Sequence, residues 1–277
     1  MNTQETISSL QNPLVKQILR LQQKQSERSR SGLFVAEGRR EVSLALGAGL
    51  KCHRLLLCPD IYREDPAYSL GNYLSGQLPV AKVSRQVYNK LAYRRDAEGV
   101  VLSGHQRPLS LEQLPLPETP LLLILEGIEK PGNLGAILRT ADAAGVHAVI
   151  LTDSQCDLYN PNTIRASLGC AFTVPVAGCT TDSAIGWLRD KRQWTGKQQP
   201  LLFAAVLQTQ SKYYQANLSG AVALAFGAED KGLSEGMRQA AHQLICIPMK
   251  GRIDSLNVGA SVAILSFEVA RQRDTTV

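Results

Sequence analysis

The sequence predicts an α/β protein: a mostly parallel sheet flanked by helices in the second part of the chain, preceded by a smaller α/β unit. Three observations carry this expectation. Residues 121–125, Leu-Leu-Leu-Ile-Leu, form a continuous apolar run, the mark of a strand buried on both faces of a parallel sheet. From there to the end, short apolar runs alternate with amphipathic stretches, as strands alternate with helices in doubly wound sheets. Between the two parts, residues 107–119 carry Pro108, Pro115 and Pro117 with little periodicity, as a linker does. The expected division is therefore 1–106, a linker at 107–119, and 120–277.

The elements follow in order. Asn12-Pro13 is a helix start, a cap residue followed by proline at the first helical position. Leu14, Ile18 and Leu21 then repeat at helical spacing. Lys16, Arg20, Lys24 and Arg28 recur every four residues and would line another face of that helix, joined by Arg30. Such a basic face either tracks nucleic-acid phosphates or is a solvated helix surface. Residues 32–38 read as a strand ending at Gly38, and 39–46 as a helix closed by Gly47 and Gly49. Further strands are expected at 55–57 and 80–83, with 62–76 as loop or short helix. Beyond the linker, strands are expected at 121–125, 148–151, 172–175, 201–206, 222–226 and 244–247. Helices are expected at 134–144, 161–168, 183–192, 235–242 and 257–271. In such sheets ligands bind beyond the carboxyl ends of the strands.

Composition narrows the classes. The net charge is +6 over 277 residues. Residues 1–119 hold 16 Lys+Arg against 11 Asp+Glu, a net of +5, whereas the remainder hold 14 against 13, a net of +1. A basic first part beside a nearly neutral second suits a nucleic-acid-gripping module, and also suits plain solubility. No run of eighteen apolar residues exists, so no membrane span is expected. Residues 1–5 lack the charged and apolar regions of a signal peptide, and the six cysteines are scattered without a CxxC pair. A cytoplasmic protein with reduced thiols is expected. The four histidines are equally scattered, so no metal site is expected.

Three corners, each joining a strand, a polar loop and a helix start, carry the candidate chemistry. The first is Glu126-Gly127-Ile128-Glu129-Lys130-Pro131-Gly132-Asn133, running into a helix whose buried stripe is Leu134, Ile137, Leu138 and Ala141. Asn133 stands at the helix entrance, as a cap or a ligand contact, and Arg139 falls well off the buried stripe. The second is Phe226-Gly227-Ala228-Glu229-Asp230-Lys231-Gly232. There Gly227 permits a close approach to the strand-end backbone, and Glu229 is placed to accept hydrogen bonds or orient a cation. The third is Ile247-Pro248-Met249-Lys250-Gly251 followed by Ser255-Leu256-Asn257, which brings a hydroxyl and an amide to a helix start rich in free N–H groups. No corner pairs a nucleophile with a base. G-x-S-x-G, H-E-x-x-H, the phosphate-cradling P-loop and G-x-G-x-x-G are all absent. Hydrolysis, kinase chemistry and hydride transfer are therefore poorly supported.

Taken together and in this order, Asn133-Leu134-Gly135-Ala136-Ile137-Leu138-Arg139-Thr140-Ala141, Gly227-x-Glu229-x-x-Gly232, and Ile247-Pro248-Met249-x-Gly251 with Ser255-Leu256-Asn257-Val258 closely resemble the motifs of the SpoU (TrmH-type) branch of the SPOUT RNA methyltransferases. The resemblance covers residues 121–273, and residues 12–49 are similar to the ribosomal-protein-like substrate-binding domain that many members carry. It implies a deep trefoil knot in the second domain, against the usual rule for threaded chains. It implies S-adenosylmethionine as methyl donor, held by Leu207, Gly227, Ile247, Met249 and Leu256, largely through backbone groups. The implied reaction is methylation of a ribose 2′-hydroxyl in structured RNA by a homodimer joined through its C-terminal domain; the ribosomal-protein-like first domain favours ribosomal RNA, with transfer RNA the other candidate. Arg139, Asn133, Glu229, Ser255 and Asn257 would position the hydroxyl, with Arg139 activating it or stabilising the developing alkoxide. Lys16, Arg20, Lys24, Arg28, Arg39 and Arg165 are the RNA-binding candidates. The alternative is a non-catalytic RNA-binding or ribosome-assembly factor on the same fold. Two departures from the family pattern are Lys130, where many members have an acid, and Gly259, where serine is frequent.

Overall fold

In a computed structural model, which describes residues 6–74, 78–93 and 98–274, the chain divides into two units. One comprises residues 1–107 with 157–173, the other 108–156 with 174–277. Residues 1–5, read above for a missing signal, and the end of the 62–76 stretch lie outside the described residues.

The first unit opens with α1 (Pro13–Gln23), capped by Asn12, whose side chain accepts from Leu14 N at 2.9 Å. The single basic helix expected over 16–28 is two helices. Lys24 takes an extended conformation (φ −120°, ψ 118°) and α2 (Gln25–Ser31) starts afresh. Strand β1 (Leu33–Glu37), α3 (Arg39–Gly47), β2 (Cys52–Leu57), α4 (Gly71–Leu74), β3 (Val80–Lys82), α5 (Arg85–Leu91) and β4 (Val100–His105) follow. They build a four-stranded sheet of order β1-β4-β2-β3. Strand β4, which the sequence reading had not marked, is its hub, pairing antiparallel with both β1 and β2. Val15, Ile18 and Leu21 of α1 pack with Val87, Tyr88 and Leu91 of α5 over Val35, Leu56 and Val101 of the sheet, giving this unit its own core.

Arg28, expected on the basic face, is 2% exposed. Its guanidinium donates to Asp157 at 2.7 Å and to the carbonyls of Leu21 and Gln22 at 2.6 and 3.4 Å. These are orphan carbonyls of the last turn of α1, so Arg28 closes that helix from within and is not an RNA contact.

The second unit begins with residues 108–119, which are not a free linker. Leu111 and Leu114 are buried in the core of the second unit, each contributing about 1.5–3 kcal/mol by leaving water. Then come β5 (Leu121–Glu126), α6 (Pro131–Ala143) and β6 (Ala148–Thr152). The chain leaves this unit for α7 (Pro161–Ala166) and α8 (Cys170–Thr173), which belong to the first. Phe172 and Tyr159 there lie over Phe34, with ring centroids 5.0 and 5.4 Å away. The strand expected at 172–175 is thus a helical turn. The strand starts only after Pro175, as β7 (Val176–Cys179). Helix α9 (Thr181–Arg189), β8 (Leu201–Ala205), β9 (Val222–Phe226), α10 (Glu235–Ala240), β10 (Gln243–Ile245) and α11 (Val258–Asp274) complete the unit.

Six parallel strands form the second sheet, in the order β10-β8-β9-β5-β6-β7. All six residues of β5 are buried, as the apolar run predicts for a central strand covered on both faces. The order reverses direction between β5 and β9, and the ends of β8, β9 and β10 share one side of the sheet edge, where an open α/β sheet leaves a crevice.

Candidate active site

Two of the three strands bordering that crevice, β9 and β10, lead into corners described above. Beyond the carboxyl ends of β8, β9 and β10 lies a cavity of about 810 Å³. Leu207 lines it from β8, Gly227 and Glu229 from β9, Ile247 and Met249 from β10, and Ser255, Leu256 and Asn257 from the approach to α11. All five residues expected to hold a cofactor therefore border one cavity, of the size that accommodates a nucleoside-containing ligand. The backbone N–H groups of Ile247, Met249 and Leu256 have no protein acceptor among the described residues. Leu207 is 65% exposed, a large apolar side chain left at the mouth. Free backbone donors beside apolar side chains are the donor set an adenosine and an amino-acid carboxylate require, so the residues present fit S-adenosylmethionine.

Gly227 has a different reason from the one its position suggested. A Cβ there would lie 2.0 Å from the carbonyl carbon of Gly232, so its bare Cα makes room for the loop's own return, not for a ligand. Gly232 sits at φ +66°, and its N–H donates to Ala228 O at 2.9 Å, closing a tight hairpin that projects Glu229.

Glu229 is the hub of the polar cluster. It accepts from Lys130 Nζ at 2.5 Å, from Asn133 Nδ2 at 3.0 Å and from Asn257 Nδ2 at 3.0 Å. Asn257 also reaches Asn133 Oδ1 at 3.3 Å and caps α11, its Oδ1 accepting from Gly259 N at 2.9 Å. One residue from each corner thus meets at the rim. The Lys130 ammonium, then the Asn133 amide, holds the Glu229 carboxyl below its usual range, and Glu229 in turn raises Lys130. Glu229 is accordingly a fixed anionic acceptor and a poor proton acceptor for catalysis. Gly259, the departure from serine, also gains a reason, because a Cβ there would stand 3.1 Å from Asn257 Oδ1.

The remaining candidates are less gathered. Ser255 lines the cavity with its hydroxyl 3.4 Å from Asp254 Oδ1. Arg139 is exposed on α6, has no hydrogen-bond or ion-pair partner among the described residues, and does not border the cavity. In the first unit, Lys16, Arg20 and Lys24 are exposed. Arg39 is engaged with Glu98 at 3.4 Å, Asp65 at 3.7 Å and the Arg63 carbonyl at 2.9 Å. Arg165 lies over the Tyr93 ring at 5.7 Å.

Two residues escaped the sequence reading. Lys130 was noted only as a departure, yet it makes the shortest contact in the cluster. Glu126 ends the buried strand β5 and is 7% exposed. It accepts from Thr181 Oγ1 and from Ser234 N, each at 2.7 Å, and so bolts the far end of the Glu229 hairpin to the sheet. An acid closing an otherwise apolar run is the signal that marked it.

A parallel sheet with a nucleoside-sized cavity at its strand ends and a polar rim drawn from three corners suits a group-transfer enzyme that takes a nucleoside-containing cofactor. Residues 120–267 match the model of the SpoU rRNA methylase family, and residues 12–102 that of the MRM3-like substrate-binding domain. The chain belongs to the SpoU rRNA methylase family, whose members move the methyl group of S-adenosylmethionine to an RNA ribose 2′-hydroxyl. It is 36% identical over 177 residues to the 23S rRNA (guanosine-2′-O-)-methyltransferase RlmB of Pectobacterium atrosepticum, covering 64% of this chain and 68% of that one. It is 31% identical to an uncharacterized tRNA/rRNA methyltransferase of Synechocystis, over 97% of this chain and 94% of the other. Among solved structures, the AdoMet-bound rRNA methyltransferase of Sinorhizobium meliloti superposes with a TM-score of 0.83 at 30% identity, covering 96% of this chain and 97% of that one.

Proposed function

We propose that this chain methylates the ribose 2′-hydroxyl of a guanosine in 23S ribosomal RNA, the activity named for its Pectobacterium relative. The observation that carries the reading is the meeting of Asn133, Glu229 and Asn257 at the rim of the cavity bordered by all five cofactor candidates. Leu207, Gly227, Ile247, Met249 and Leu256 hold the donor. When bound, S-adenosylmethionine supplies an electrophilic methyl, so the enzyme needs no covalent intermediate. The chain's own task is to place the ribose oxygen in line and manage its proton. Asn133, Ser255 and Asn257 offer hydrogen bonds to the sugar, and Glu229 fixes the two amides. Arg139 stabilises the developing alkoxide, since a guanidinium is a poor proton acceptor.

The same reading includes a homodimer. Helix α11 buries Val258, Val262, Leu265 and Val269 but also leaves Ala260 and a half-exposed Phe267 on its other side. That apolar strip supports a second copy docking there, and an Arg139 that does not border its own cavity is free to serve the copy's. In the first unit, Lys16, Arg20, Lys24, Arg39 and Arg165 are the proposed RNA contacts, leaving the chemistry to the second. Among the described residues no helix is long and apolar enough to cross a membrane, and a ribosomal RNA substrate supports a cytoplasmic site of action.

The test is methyl incorporation into 23S rRNA together with calorimetry of S-adenosylmethionine. Arg139→Ala should lower turnover by about 10²–10³, the usual worth of one alkoxide-stabilising donor, while donor affinity stays within twofold. Full activity in that variant would remove Arg139 from the site.

A further inference from the structure

The first unit holds a second cavity, of about 540 Å³, wholly within itself. Arg20 of α1, Arg30 of α2 and Arg54 of β2 border it, and among the described residues Glu27 is the one carboxylate on its wall. Glu27 is committed to Arg30 at 2.9 Å. Neither Arg20 nor Arg54 has a carboxylate partner within ion-pair distance among the described residues. Two arginines therefore face one groove with no ion pair of their own among the described residues, Arg20 being near enough to Glu27 to act on it through space.

The floor is equally specific. Strand β2 pairs with β4 as Cys52↔Gly104 and then Arg54↔Ser103, so His53 is the extra residue of a β-bulge. A bulge re-aims a side chain, and here it delivers the His53 ring to the groove, edge-to-face with His105 at 5.7 Å. Burial first, then the neighbouring His105 and Arg54, push the His53 pKa below the ordinary imidazole value. Leu14 and Ala81 add apolar surface beside it.

We propose that this groove is an RNA subsite, in which Arg20 and Arg54 take backbone phosphates and the bulged His53 takes the face or edge of an unpaired base. The assignment rests on the RNA-methylating reading of the chain and adds a place and a division of labour to it. A partly buried aromatic ring, an apolar wall and flanking guanidiniums are the combination by which proteins hold single-stranded nucleotides. An acidic peptide would use the arginines but leave the ring idle.

The experiment uses the full chain and in vitro transcribed 23S rRNA, with affinity followed across roughly 50–300 mM salt, where counterion release separates ionic from other contacts. Arg20→Ala and Arg54→Ala should each lower the slope of log affinity against log salt by about 1, and their double variant by about 2. His53→Ala should weaken binding roughly fivefold or more with the slope unchanged. Arg54→Lys should keep the slope, which separates lost charge from lost folding, and S-adenosylmethionine affinity should be unaltered throughout. Arg192→Ala, an exposed arginine of the second unit, gives the effect of removing a positive charge elsewhere. The groove is overturned if the double variant binds like the parent, if Arg192→Ala matches it, or if a poly-glutamate peptide competes as well against the His53 variant as against the parent. A parent that methylates 23S rRNA while the variants match it loses only the groove; a parent that neither binds nor methylates it loses the functional reading as well.

Discussion

Glu229 takes three hydrogen bonds from residues far away in sequence, and the consequence can be followed by titration. Its folded carboxyl is more acidic than the unfolded one, first because of Lys130. The clamp is therefore complete above the ordinary carboxylate range and is lost as pH falls through the lowered folded value. Lys130→Met should return Glu229 toward its ordinary pKa, read by carbon NMR of its side chain, and should move the acid limb of kcat/KM to higher pH. An unmoved Glu229 resonance would mean that Lys130 does not rest on it in solution. Gly227→Ala should cost about 1–3 kcal/mol in urea unfolding, because the loop must open to admit a methyl group. Asn133, Glu229 and Asn257 were legible as single letters, since helix starts and strand ends are marked locally by caps, glycines and prolines. Lys130 was not, because its partner lies 99 residues on and no local spacing records such a pair.

At the level of elements, the clearest divergence is α1 and α2. A four-residue recurrence of Lys16, Arg20, Lys24 and Arg28 reads as one face of one helix, and the apolar recurrence at Leu14, Ile18 and Leu21 agrees with it. The break at Lys24 is made by tertiary structure, since Arg28 turns inward to Asp157 and to the ends of α1. Periodicity cannot reveal a partner 129 residues away. Removing one member of a buried pair strands the other, so Asp157→Ala should destabilise the first unit by about 3–5 kcal/mol in chemical unfolding. Within the second unit the pattern was a better guide. Strand β9 occupies the expected residues 222–226, and the other strands and helices, β7 excepted, overlap the residues expected of them. The segment at 172–175 misled because Phe172 is buried against Phe34, and its apolar character reports that contact and not a strand.

For the whole molecule, the proposed dimer and the discontinuous first unit each make a prediction. Phe267→Glu should shift the molar mass by light scattering to that of one chain and abolish methylation, with unfolding unchanged because Phe267 is half exposed in the isolated chain. A dimer that survives the substitution would place the interface elsewhere. The expected division at 106 and 120 was drawn from prolines, which mark where a chain turns but not where it later returns. Residues 157–173 return to the first unit and supply Asp157, Tyr159 and Phe172 to it.

That return visit makes the polypeptide cross from one unit to the other at three places, after 107, after 156 and after 173. A protease that nicks the first crossing will not release the leading piece, which stays fastened by the borrowed rings over Phe34. The two modules therefore behave as a stitched seam, and neither can be gained or lost by a single scission or a single splice.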